Sequence, residues 1–260
     1  MYKLLLLLLP ILLFSKFQVT TSFPFEAHII KKIGQNHIRI KTISNNFSNK
    51  ILDLTPTEIS SLAKTKVYFN FSLEIEKQYE KLFLEANDKF NRVNMSKDIK
   101  KLKYNGKDNP YIWLDPILLR EVARNIYETL VEIDSFNKKD YQTNYEKFLQ
   151  ELDESFLKTK EKLSNSEIYN IFVFDESFDY FAKRFKINVY KKEKRILSAS
   201  EIKPLIEEVQ RNEIKAVFTQ DRQNISYAKS LSGNSHILIK TYNLYEELLF
   251  FNLSKISQEF

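Results

Sequence analysis

The chain has 260 residues, a formal net charge of +6, three His, three Gly and no Cys. The length suits one large domain or two ordinary ones with a sizeable core, and 43% hydrophobic with 28% charged residues is the composition of a folded soluble protein. Without Cys there is no disulfide, thiolate nucleophile, Cys-ligated metal or lipid-attachment Cys, and Gly34, Gly106 and Gly233 cannot assemble a Walker A loop or a dinucleotide fingerprint.

The basic excess is small, 40 Lys and Arg against 34 Asp and Glu, and Lys97–Lys103 and Lys191–Arg195 read as solvated faces. No segment interleaves aromatics with Arg at a spacing that stacks bases, so no nucleic-acid partner is expected.

In chain order, Lys3 precedes an apolar run from Leu4 to Phe14 broken by Pro10. The run is too short for the roughly twenty residues of a spanning helix and has the layout of a signal peptide over 1–15, with an uncleaved anchor as the alternative. Phe17–Phe23 is β-rich and reads as the first strand, which favours cleavage near Ser15 over a cut after Ser22. A helix over Glu26–Ile33 stopped by Gly34, a strand over His37–Ile43, and a short helix opened by Thr55-Pro56-Thr57-Glu58 with Thr57 as its cap follow. Val67–Phe71 reads as a buried strand and Glu74–Ala86 as a helix.

From Pro116 to Ile133 the residues Leu118, Val122, Ile126, Leu130 and Ile133 recur at helical spacing, giving a helix about 27 Å long that can join two lobes. Tyr141, Tyr145, Phe148, Leu152 and Phe156 mark another helix. Strands over Ile168–Phe174, Ile187–Tyr190, Ala216–Thr219 and His236–Ile239 then alternate with helices over Phe178–Phe185, Ser200–Arg211 and Ser226–Leu231, with a terminal helix from Leu244. The expected fold is α/β: two α/β sandwich lobes, each with a mostly parallel sheet, joined by a long rigid helix. Its parts are a signal peptide (1–15), an N-terminal lobe (16–115), a linking helix (116–133) and a C-terminal lobe (134–260).

Catalytic patterns are absent. There is no Gly-x-Ser-x-Gly elbow and no His-Glu-x-x-His helix, and His28, His37 and His236 are scattered over three elements. Asp175, Glu176 and Asp179 end a strand and open a helix, where acidic residues complement the helix dipole. No enzyme is expected.

The segment Asn109-Pro-Tyr-Ile-Trp-Leu-Asp-Pro116 holds the only Trp and resembles the His-Pro-His-x-Trp-Leu-Asp-Pro signature of solute-binding proteins of zinc and manganese ABC transporters. Leu54-Thr-Pro-Thr-Glu58 and Tyr180-Phe-Ala-Lys-Arg-Phe185 resemble further segments of that family, in the same order. The resemblance covers essentially the whole mature chain. It implies transition-metal binding between the lobes, with three His and an acid as ligands, the ligand being passed to an ABC permease. The matching positions here are Lys50, Tyr111, Asp175 and Tyr242 (or Asn243), with Gln220 where many members carry a late acid. These four are the candidate cleft residues, and Asp175 is the candidate metal ligand for Zn or Mn. The implied protein is a monomeric, periplasmic or extracytoplasmic transport component that binds a small solute or metal ion. It is expected not to be a lipoprotein, having no Cys. The alternative is the same fold with the metal site lost, binding a non-metal solute or serving as an adhesin-like surface protein.

Overall fold

A computed structural model of the chain describes residues 16–45, 50–192, 198–219, 222–232 and 237–241. The signal segment, Gln220, His236, Tyr242 and the expected terminal helix lie outside these residues.

The N-terminal lobe is built from β1 (Phe17–Thr21), α1 (Pro24–Gly34), β2 (Ile38–Thr42), α2 (Pro56–Ala63), β3 (Val67–Asn70), α3 (Glu74–Ala86) and β4 (Arg92–Asn94). Its sheet has the order β2-β1-β3-β4 and every pairing is parallel. β1 and β3 are buried on both faces and their helices pack alongside, which is why their apolar runs barely alternate. Gly34 is the last residue of α1, where a Cβ would fall 2.1 Å from Ile38 Cδ1, and the turn that ends the helix falls on Gln35 at φ 39°. The cap of α2 is Thr55, not Thr57. Pro56 takes the first helical position, so the residue before it must be extended, and Thr55 and Glu58 close a reciprocal capping box.

A small hairpin, β5 (Lys103–Tyr104) with β6 (Lys107–Asp108), leads into the buried turn Ile112–Leu114 and then α4 (Leu118–Ile133). α5 (Lys138–Ser166) follows, at 29 residues and about 43 Å. The sequence pattern assigned the link to 116–133. In the structure α4 lies against α1 and α5, and α5 also reaches the C-terminal lobe through Phe156. Its first half meets the N-terminal lobe through Lys32–Glu151 (2.6 Å), His37–Asp140 (2.9 Å) and Asn144 Nδ2 to Ile33 O (3.0 Å). Its second half stacks Phe156 on Phe185 at 5.5 Å. Among the described residues, no helix is long and apolar enough to cross a membrane.

The C-terminal lobe comprises β7 (Asn170–Val173), α6 (Asp179–Phe185), β8 (Asn188–Lys191), α7 (Ala199–Arg211), β9 (Ala216–Thr219), α8 (Arg222–Ser232) and β10 (Leu238–Thr241). Its parallel sheet is ordered β10-β9-β7-β8. In each lobe the first strand is central, the second pairs on one side, and the third and fourth extend the other side. One hydrophobic cluster runs from Val19 and Phe25 through Trp113 and Leu130 to Ile171 and Phe218, so the lobes share a core.

Candidate functional site

In open parallel sheets, ligands bind outside the carboxyl ends of the strands where the strand order reverses. Here the reversals fall between β1 and β3 in one lobe and between β7 and β9 in the other. The segments leaving these ends, together with 101–115, form a polar seam between the lobes.

Trp113 anchors the seam. It is fully buried, 4.7 Å from Phe25 and 5.3 Å from Phe71 by ring centroid, and Tyr111 meets it edge-on at 5.4 Å. Phe25 and Phe71 sit just past the ends of β1 and β3, so the Trp-Leu-Asp-Pro segment closes over the strand ends of its own lobe. From the other lobe, Tyr180 Oη donates to Asn109 O at 3.0 Å and accepts from Leu102 N at 2.8 Å, and burial pushes its hydroxyl up to about 12. Arg184 Nε donates to Asp115 Oδ1 at 2.7 Å, and the same oxygen accepts from Ile117 N at 2.9 Å at the start of α4. The two most distinctive segments of the sequence are therefore binding partners of one another: Tyr180 and Arg184 grip residues 102–115. Asn109, fully buried, adds a bond from Nδ2 to Glu176 O at 2.8 Å.

The candidate residues fall around this seam. Asp175, half-buried just beyond β7, accepts from Ser177 N at 2.9 Å and from the Ser177 hydroxyl. Tyr111, half-buried, donates its N–H to Asn109 Oδ1 at 3.0 Å. Asn109 thus links the segments that carry Tyr111 and Asp175. Tyr111 also lines a cavity of about 880 Å³ with Phe71, Asn94, Lys101, Lys107 and Trp113. Lys50 is exposed on the segment leading to α2, in the same lobe as Tyr111. Tyr242 lies outside the described residues. Among those residues no group of three His, Cys, Asp or Glu converges as a metal site. His37 is engaged with Asp140 and stands edge-on to Tyr141 at 5.5 Å.

Two residues beneath the seam escaped the sequence reading: Glu26 and Glu76, both fully buried. The signal was present. Glu26 lies three, four and seven residues before Ile29, Ile30 and Ile33, and Glu76 three and seven before Tyr79 and Phe83, so each sits on the apolar stripe of its helix.

Two parallel-sheet lobes, bridged by one long helix and joined along a polar seam, define a helix-linked, two-lobed binding-protein fold. The chain belongs to the ZnuA family, zinc-uptake complex component A, periplasmic, whose model matches residues 19–248. The fold is that of the crystal structure of ZnuA, with a TM-score of 0.83 at 22% identity over 94% of this chain and 98% of that one. Among named relatives, the metal ABC transporter substrate-binding lipoprotein SloC of Streptococcus mutans is 25% identical over 203 residues, 71% of this chain and 66% of the relative. The manganese ABC transporter substrate-binding lipoprotein PsaA of Streptococcus anginosus is 24% identical over 174 residues, 59% of this chain and 56% of the relative. The chain thus spans just under two thirds of the first relative and rather more than half of the second. These names correct one expectation. The missing Cys was read as the absence of a lipid anchor, yet the relatives are named lipoproteins, so that exclusion does not stand; the extracytoplasmic placement agrees with them.

Proposed function

We propose that the protein is the extracytoplasmic solute-binding component of a metal-ion ABC transporter, which binds Zn or Mn as cargo between its lobes and passes it to a membrane permease without a catalytic step. The observation that carries this reading is the family match over 19–248 on a fold of two parallel-sheet lobes joined along the seam. In this reading the protein acts as a monomer. Asp175 offers the cargo a carboxylate oxygen, a ligand compatible with either ion. Lys50, Tyr111 and Tyr242 complete the cleft wall. An ammonium has no lone pair and Tyr is a poor ligand unless ionised, so these three shape the cleft rather than supply its strongest donors.

Isothermal titration of the metal-stripped protein with Zn(II) and with Mn(II) tests the reading. Submicromolar binding of either ion, weakened at least tenfold by Asp175→Ala, is expected. Absence of binding by both ions would sink it.

A further inference from the structure

Glu26 and Glu76 lie just past the ends of the two central strands of the N-terminal lobe, each at the third position of its helix. Glu26 Oε2 accepts from the Thr21 hydroxyl, from Ser22 N at 2.8 Å and from Phe23 N at 3.0 Å. Glu76 Oε2 accepts from Phe71 N at 2.9 Å and Leu73 N at 2.8 Å. One oxygen of each carboxyl is therefore committed to the backbone that turns from strand into helix. The other oxygen, Oε1 in both cases, is buried with no hydrogen-bond partner, and the two carboxyls are close enough for the charge of Glu76 to raise Glu26. Ionised carboxylates only accept, so these two oxygens can satisfy one another only with a proton on one of them.

Among the described residues no salt bridge reaches either carboxyl. From β3, Tyr68 hydrogen-bonds Ser22 Oγ, and its hydroxyl is pushed well up by burial and then by the two carboxyls. From α3, Glu80 adds a further negative charge near Tyr68. Lys101, half-buried beyond β4, is the cation that feels Glu76; its Nζ points to Phe71 O at 3.5 Å and its own pKa is lowered by burial. Burial, reinforced by Glu76, raises Glu26 well above the usual carboxylate range. The N-termini of α1 and α3 favour one negative charge here, and one proton removes the second.

We propose that Glu26 and Glu76 share a single proton and work as a proton-dependent latch that positions the aromatic floor of the cleft. The backbone groups they hold belong to Ser22, Phe23, Phe71 and Leu73, and Phe71 with Phe25 carries Trp113, on which Tyr111 rests. Both are positioning residues, acting on the cleft through these turns. The folded chain holds the Glu26 proton more tightly than the unfolded chain does. Its contribution is thus complete at and below the ordinary Glu range and is lost as pH rises through the raised value. The latch concerns the floor alone and stands whether or not the cargo is a metal.

Trp113 is the only Trp, so its emission reports on the floor directly. Infrared spectroscopy of the wild-type protein above neutral pH should retain the C=O band of a protonated, buried carboxyl. Asp115, the other buried carboxyl among the described residues, is ion-paired with Arg184 and gives no such band. The Trp113 emission should shift as that band disappears on raising the pH. Glu26→Gln keeps an acceptor for the three donors and places a permanent N–H towards Glu76, so it should lose both the band and the emission shift while remaining folded. Absence of the band from the wild type above neutral pH, or an emission shift identical in wild type and E26Q, overturns the proposal. Should E26Q fail to fold, Glu76→Gln gives the same comparison, and the wild-type band decides by itself.

Discussion

The two lobes share a strand order and differ in how they finish their central strands. Past β1 and β3 the N-terminal lobe buries two carboxyls, ties one oxygen of each to two backbone N–H groups, and packs Phe25, Phe71 and Trp113 against the same turns. Past β7 the C-terminal lobe leaves Asp175 half-buried, held by its own neighbour Ser177. One lobe therefore presents a closed, preorganised floor and the other an open acidic turn. A single topology provides a sealed turn in one lobe and a part-exposed acidic turn in the other, according to whether an aromatic segment crosses the strand ends.

This contrast can be broken by substitution. The largest effect is expected from Trp113→Ala, which removes the ring joining Phe25, Phe71 and Tyr111; denaturant melts should show a loss of about 3–5 kcal/mol. Glu26→Leu leaves the Thr21 hydroxyl and the Ser22 and Phe23 amides without their acceptor, and should cost about 3 kcal/mol in the same melts. Its counterpart in the C-terminal lobe, Asp175→Ala, removes the acceptor of the Ser177 N–H and hydroxyl and should cost less, about 1–2 kcal/mol. Equal losses at Glu26 and Asp175 would erase the distinction between the lobes. Added Zn(II) or Mn(II) should raise stability by about 2.7 kcal/mol at roughly a hundredfold excess over Kd, and Asp175→Ala should abolish most of that rise in a thermal shift measurement. Arg184→Met, which cuts a part-exposed tie to Asp115, should cost about 1–2 kcal/mol. Least of all, Arg120→Ala removes a surface pair with Asp153 and should change stability by about 0.5 kcal/mol or less.

Much of the fold was legible because buried parallel strands and amphipathic helices advertise themselves: Val67–Asn70 and Ala216–Thr219 are apolar runs, and α4 carries an unbroken stripe. β4 was missed because Arg-Val-Asn is too short and polar to register, and only its pairing with β3 makes it a strand. The reach of α5 into both lobes was hidden because few of its 29 residues are buried, whereas the shorter and more apolar α4 carries the clearer stripe. At the site, the Trp-Leu-Asp-Pro and Tyr-Phe-Ala-Lys-Arg segments were visible as motifs, but their mutual contact was not, since Asp115 and Arg184 are 69 residues apart in the chain. Glu26 and Glu76 were legible one at a time as acids on apolar faces; that they meet depends on two helices leaving neighbouring strands.

The shared core bears on how the molecule comes apart. One face of the C-terminal sheet joins the cluster that extends through Trp113 to β1, whereas Phe172, Phe174 and Val217 on the other face form a separate cluster with Leu205, Val209, Ala228 and Leu231 of α7 and α8. The two lobes should therefore unfold in one cooperative step, with neither half able to close its interior alone. The α7–α8 layer, resting on its own small cluster, should open first, and its amides should exchange with solvent well ahead of those in β1, β3 and β7.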